Sequence, residues 1–148
     1  MYLELIRPYQ AAGKGDGGIR PQPPATEAEI SCAERQTGVQ FPQELRSLLA
    51  ELNGDCDLLL STDAIVEYHQ YDLSRCYPKG ALLFFGSDGA GNLYGYRVRP
   101  DHTASPGIVF WDHELDSVTL LPPERSSLQT LIPYYYDLCY GGRASDEA

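Results

Sequence analysis

The sequence predicts an α+β domain, because its helical and strand patterns fall in separate blocks instead of alternating. Apolar stripes with helical spacing occupy residues 26–54, short apolar runs between turn signals occupy 81–121, and a further helical stripe lies at 128–138. At 148 residues, 43% of them hydrophobic, the chain has the length of one domain, and one core is expected across 1–148.

Tyr2, Leu3, Leu5, Ile6 and Tyr9 suit a two-turn helix interrupted near its end by Pro8. Residues 11–25 are too rich in Gly and Pro for a helix or a central strand and read as a loop. Thr26 and Glu29 have capping-box spacing, so a helix starts there, carries Ile30, Ala33 and Thr37 on one face, and stops at Gly38. Pro42 suits the first turn of a second helix, whose Leu45, Leu48, Leu49 and Leu52 fall at i, i+3, i+4 and i+7 before Asn53-Gly54. The pair reads as a helical hairpin. Leu58 to Leu60 is expected as a short strand, followed by a brief helix capped at Ser61-Thr62-Asp63 and running through Glu67.

Ala81 to Phe85 has the continuous apolar character of a strand buried on both faces, whereas Leu93 to Val98 alternates, with Tyr94, Tyr96 and Val98 on one side. Ile108 to Trp111 and Val118 to Leu121 flank the acidic turn 112–116, so an antiparallel meander of three or four strands is expected. Ser126 or Ser127 caps a last helix bearing Leu128, Leu131, Ile132, Tyr135 and Leu138, in which Pro133 implies a kink or a late start. Gly141-Gly142 should end it, leaving 143–148 as a flexible polar tail.

Charge narrows the partners. Twenty-one Asp and Glu against 11 Lys and Arg leave a formal net charge of -10, and the sequence pI is near 4.6. Neutralising phosphate takes basic groups in number, so neither nucleic acid nor a membrane is an expected partner, and a protein with a basic surface is the natural counterpart. No secretory signal and no 18-residue apolar window are readable, which points to a cytoplasmic location. Cys32, Cys56, Cys76 and Cys139 show neither C-x-x-C pairing nor zinc-site spacing with His; they read as buried thiols, and no metal or cofactor is expected.

Asp88, Asn92, Asp101, His102, Asp112, His113 and Glu114 are the residue types an acid–base or metal-dependent enzyme uses. They match no H-E-x-x-H, G-x-S-x-G or P-loop pattern, so no catalytic residue is assigned. The Asp88–Asn92 stretch lacks the ligands of an EF-hand and reads as a tight turn. Two acid-only stretches remain: the turn of Asp112, Glu114 and Asp116, and the run Glu51, Asp55, Asp57, Asp63, Glu67 and Asp72, which has no Lys or Arg between Arg46 and Arg75. Each suits simple solvation or the docking of a basic partner. Trp111 suits either core or half-buried sheet, or an interface anchor. In the binding reading Asp55, Asp57, Asp63, Glu67, Trp111, Asp112, Glu114 and Asp116 are the candidate contacts. Tyr68, Tyr71 and Tyr77 border them as amphipathic contact area, and Tyr134, Tyr135 and Tyr136 belong to a helix with one ring in the core.

Residues Thr26 to Asp55, with a glutamate-bearing helix ending at Gly38, Phe41-Pro42 opening a second and Asn53-Gly54 closing it, resemble the opening helical hairpin of the SUKH superfamily. Leu82 to Val98 resembles that family's strand, glycine-rich turn and strand; Gly107 to Leu121, with Trp111-Asp112-His113, resembles its next hairpin; Ser127 to Leu138 resembles its terminal helix. The resemblance implies helices packed on one side of a mainly antiparallel sheet, and protein binding rather than catalysis. Bacterial members are similar to immunity proteins of polymorphic or contact-dependent toxin systems, often against nuclease toxins, and fungal members are cell-wall-assembly regulators. The expectation is therefore an immunity protein that binds and neutralises a cognate toxin. The alternative is a non-catalytic protein-binding scaffold or regulatory adaptor of the same fold.

Overall fold

In the computed structural model residues 1–12 and 18–141 are described; the centre of the 11–25 loop, Gly142 and the 143–148 tail lie outside them. The elements run α1 (Tyr2–Ala12), α2 (Glu27–Thr37), α3 (Gln43–Glu51), α4 (Thr62–Gln70), β1 (Leu82–Ser87), β2 (Leu93–Arg97), β3 (Val109–Asp112), β4 (Ser117–Leu120), a 3₁₀ turn (Pro123–Arg125) and α5 (Leu128–Tyr140). The four strands form one sheet in the order β1-β2-β3-β4, every neighbour antiparallel, which is the expected meander.

Local signals set most of the boundaries. Thr26 and Glu29 form the reciprocal capping box and Gly38 closes α2 in the left-handed conformation. Ser61 caps α4 and Ser127 caps α5 through side-chain oxygens. Four expectations need correction. Helix α1 is 11 residues long and passes through Pro8, because Ile6 and Tyr9 are fully buried and the Tyr9 hydroxyl reaches Asp137 Oδ1 at 2.6 Å and the Pro133 carbonyl at 3.2 Å. Packing on α5 outweighs the missing N–H. Helix α5 likewise starts at once at Leu128 and runs through Pro133. The expected strand 58–60 is one antiparallel bridge, Leu59 to Gly86, flanked by Leu60 N–H to Phe85 carbonyl and Ser87 N–H to Leu58 carbonyl, both 2.9 Å. Helix α2 packs chiefly on α4 and meets α3 more lightly, through Arg46 to Glu27 and Glu34, so α2 and α3 are not the closely packed hairpin expected.

Pleat alternation divides the strand residues between two cores. Leu83, Phe85, Tyr96 and Ile108 face the helices and join Ile6, Tyr9, Ile30, Leu45, Leu48, Leu49, Leu52, Ile65, Leu131, Ile132 and Tyr136 in the main core. Leu82, Phe84, Leu93, Val109 and Trp111 face the other way and form a smaller core against Tyr68, Tyr77 and Val118. Tyr77 belongs to the segment 71–81 that links α4 to β1, so the sheet face away from the main core is strapped rather than bare. All four cysteines are exposed, contrary to expectation. Cys32 is on the outer face of α2, where the buried positions are Ile30 and Ala33, and the other three occupy loops and the outer side of α5, where no apolar neighbours enclose them.

Candidate functional site

Alternating strand direction places the β1–β2 and β3–β4 connections at the same end of the sheet. Asp88 builds the first one: its Oδ1 accepts from the Ala90 and Asn92 N–H groups (2.8 and 3.1 Å) and its Oδ2 from the Asn92 amide (2.8 Å). This is the Asx-type turn that the sequence suggests. Asn92 in turn accepts from the His113 N–H at 3.0 Å and lies 2.7 Å from its ring Nδ1, joining the two connections. In the second connection Asp112 Oδ1 accepts from the Glu114 and Leu115 N–H groups (2.9 and 3.2 Å), while the Glu114 and Leu115 side chains are exposed.

Asp116 does something different. Its carboxylate accepts from Ser74 Oγ (2.6 Å), the Arg75 and Cys76 N–H groups (2.7 and 3.0 Å) and the Trp111 indole N–H (2.8 Å). These donors, the Ser74 hydroxyl first and the indole second, hold its pKa below the usual carboxylate range. The residue sits at φ 50, a left-handed conformation that Asp tolerates. Asp116 is thus a clasp between the strap and the β3–β4 turn, occupied by its own chain. Trp111, 5% exposed, is part of the smaller core.

The acid run 51–72 does not stay together. Asp55 is 0% exposed; its Oδ1 accepts from the Asp57 and Leu59 N–H groups (3.0 and 2.8 Å) and its Oδ2 from the Tyr136 hydroxyl, which itself accepts from the Leu58 N–H at 3.2 Å. Burial raises the Asp55 pKa in spite of these donors. A wholly buried carboxylate is out of a partner's reach, so Asp55 serves the fold. Asp57 accepts from the Tyr140 hydroxyl and, beside the Leu58–Ser87 bond, stands at the turn end of the sheet; it and Asp88 both act on Tyr135. Asp63 shares a shallow depression with Cys32 and Gln36 of α2, while Glu67 lies beside Tyr71. The structure therefore gathers Asp57, Asp88, Asp112, Glu114 and Asp116 at one end of the sheet and leaves Asp63 and Glu67 on α4. Arg97 and Arg99, at and beyond the end of β2, and Lys79, close enough to act on His69 against the Leu82 carbonyl, stand at the other end.

Sequence reading missed the strap residues Leu73, Ser74 and Arg75 and the tip residue Leu115. Leu115, an apolar side chain among acids at a hairpin tip, was the available signal. Of the enzyme-type groups, Asp88, Asn92, Asp112, His113 and Glu114 meet at the turn end, with His113 held by Asn92, while Asp101 and His102 lie beyond the far end of β2, His102 in an exposed turn at φ 67; His69 is buried against the Leu82 carbonyl at 3.1 Å. Among the described residues no three His, Cys, Asp or Glu side chains are placed to hold a metal ion, and no helix is long and apolar enough to cross a membrane. A cleft of about 690 Å³ opens between Pro23-Pro24 and the 53–61 loop, with Cys56, Asp57 and Leu60 on its wall. Among the described residues every buried side-chain nitrogen and oxygen has a hydrogen-bond partner.

Comparison with protein families decides the relationship, since the model of the SMI1 / KNR4 family (SUKH-1) matches residues 24–124. The chain belongs to this family. The SUKH-1 match begins just before the capping box at Thr26, takes in the whole sheet and both acidic connections, and ends in the 3₁₀ turn. Helices α1 and α5 lie outside it, and these two pack on each other across the main core. No curated protein matches the sequence. SUKH-1 membership places the chain in a superfamily that includes immunity proteins.

Proposed function

We propose that this SUKH-1 protein is an immunity protein that neutralises a cognate bacterial toxin by stoichiometric binding, covering the toxin's active site or blocking its substrate. It acts in the cytoplasm, turns over no substrate and needs no cofactor. The observation that carries the reading is the gathering of Asp57, Asp88, Asp112, Glu114 and Asp116 at one end of the sheet, with Lys79, Arg97 and Arg99 at the other. An end with this excess of carboxylates suits a basic protein surface, raising the rate of productive encounter, and apolar and aromatic contacts then supply the affinity. Family membership supports a protein partner rather than a substrate.

Co-expression with a toxin-like protein from an adjacent reading frame, scored for survival and for a one-to-one complex on co-purification, tests this directly. Survival with a recovered complex is expected. Cell death at full expression of both proteins, or turnover of a substrate by the purified chain alone, would refute it.

A further inference from the structure

The Asp116 clasp joins two segments some 40 residues apart in sequence, and each of them presents an apolar side chain to solvent. On the strap Tyr71 is 46% and Leu73 39% exposed; on the turn Leu115 is 74% exposed. Leu73 and Leu115 each adjoin a partner in the 2.6 Å bond from Ser74 Oγ to Asp116 Oδ1, so the two exposed leucines belong to backbone segments that this bond holds together. Tyr71 leans edge-on against Tyr68, with ring centroids 5.8 Å apart, and extends the same surface toward α4. Around it stand the carboxylates of Glu67, Asp72, Asp112 and Glu114, all at least partly exposed, while the strap carries two cations, Arg75 beside the clasp and Lys79 toward β1. An exposed leucine at a hairpin tip contributes nothing to either core, and solvent-facing apolar groups on clasped segments, rimmed by polar residues with carboxylates in excess, mark an interaction surface.

We propose that the strap and the β3–β4 turn, clasped by Asp116, form the docking surface for a basic protein segment in which Lys or Arg alternates with aliphatic side chains. The aliphatic groups lie on Tyr71, Leu73 and Leu115, and the cations meet Glu67, Asp72, Asp112 and Glu114. Asp116 is a positioning residue: its own charge is taken up by four donors, and its part is to hold the two halves in register. The inference deepens the toxin-binding reading and rests on it, since it names which part of the molecule meets the partner.

The test is a backbone-amide NMR titration of the full chain with three capped hexapeptides: alternating Lys and Leu, alternating Lys and Ser, and alternating Glu and Leu. Shift changes are expected from the Lys–Leu peptide at residues 67–77 and 112–116, about tenfold weaker binding from Lys–Ser, and none from Glu–Leu. Leu115→Ser and Glu114→Lys, both at exposed positions, should each weaken Lys–Leu binding while the remaining spectrum stays unchanged. Asp116→Asn should abolish it and broaden the strap resonances. Shifts centred on the cleft beside Pro23 and Cys56, or at Asp57 and Asp88, would overturn the proposal, as would equal binding of Lys–Leu and Glu–Leu. A toxin that co-purifies undiminished with the Leu115→Ser, Glu114→Lys double variant would also overturn this site while leaving the immunity reading standing. Failure of the unaltered protein to hold the toxin would remove both.

Discussion

Asp55 shows how one side chain can look like a surface charge in sequence and act as a core bolt in the structure. Its neighbours Asp57, Asp63 and Glu67 gave no hint that it alone turns inward, because the donors that receive it come from its own loop and from Tyr136, 81 residues away. Replacing it with Ala would leave the Leu59 and Asp57 N–H groups and the Tyr136 hydroxyl facing an empty site. The expected cost is about 3 kcal/mol, read as a lower denaturant midpoint with an unchanged m-value. Asp55→Asn keeps an acceptor and separates shape from charge. Since the folded pKa of Asp55 is raised, its contribution is fully present below the unfolded carboxylate value of about 4 and is lost as pH rises through the folded value. Midpoints measured from pH 3 to pH 8, as a rough span of that window, should decline for the unaltered protein relative to Asp55→Asn. Parallel curves would mean that Asp55 does not titrate differently in the folded state.

Elements were legible wherever their signals are local. The capping box at Thr26, the Gly38 stop, the leucine stripe of α3 and the alternating β runs all rest on spacing within one element, and each is found in place. Thr26→Ala should cost about 1 kcal/mol, and Gly38→Ala a similar amount, since the left-handed φ of 73 is strained for Ala while nothing lies within 4 Å of an added Cβ. Gly95→Ala is a different case. A Cβ there would lie 2.2 Å from the Leu83 carbonyl oxygen across the β1–β2 pair, so about 3 kcal/mol or more is expected, with loss of β1–β2 amide protection in hydrogen exchange. What stayed illegible depends on distant partners. Pro8 and Pro133 look like breaks because the sequence does not display the α1–α5 contact that overrides them, and the strap has no periodicity because Asp116 and the smaller core hold it in place of a pattern of its own.

At the scale of the molecule two titrations report on different things. Tyr96 and Tyr136 are held protonated chiefly by burial and then by the Glu44 and Asp55 carboxylates, and burial pushes Tyr94 up to about 12. Raised phenol values give stability that is complete below the unfolded value of about 10 and vanishes as pH climbs through the folded ones. Tyrosinate absorbance and far-UV circular dichroism should therefore change together in one steep alkaline step. Association with a basic partner reads the outer field instead. The carboxylates at the turn end act jointly over distances comparable to the Debye length, about 10 Å at 0.1 M salt, whereas the contacts on Tyr71, Leu73 and Leu115 are short-ranged and hardly screened. Raising salt from about 0.05 to about 0.5 M should thus slow association by an order of magnitude or more and change dissociation little. Glu114→Lys should shift the whole on-rate curve down and flatten it, since one member of the steering set is reversed. Leu115→Ser should leave the on-rate alone and speed dissociation. Stopped-flow traces of the complex with its toxin across that salt range separate the two effects, and an on-rate indifferent to salt would show that the -10 charge plays no part in the encounter.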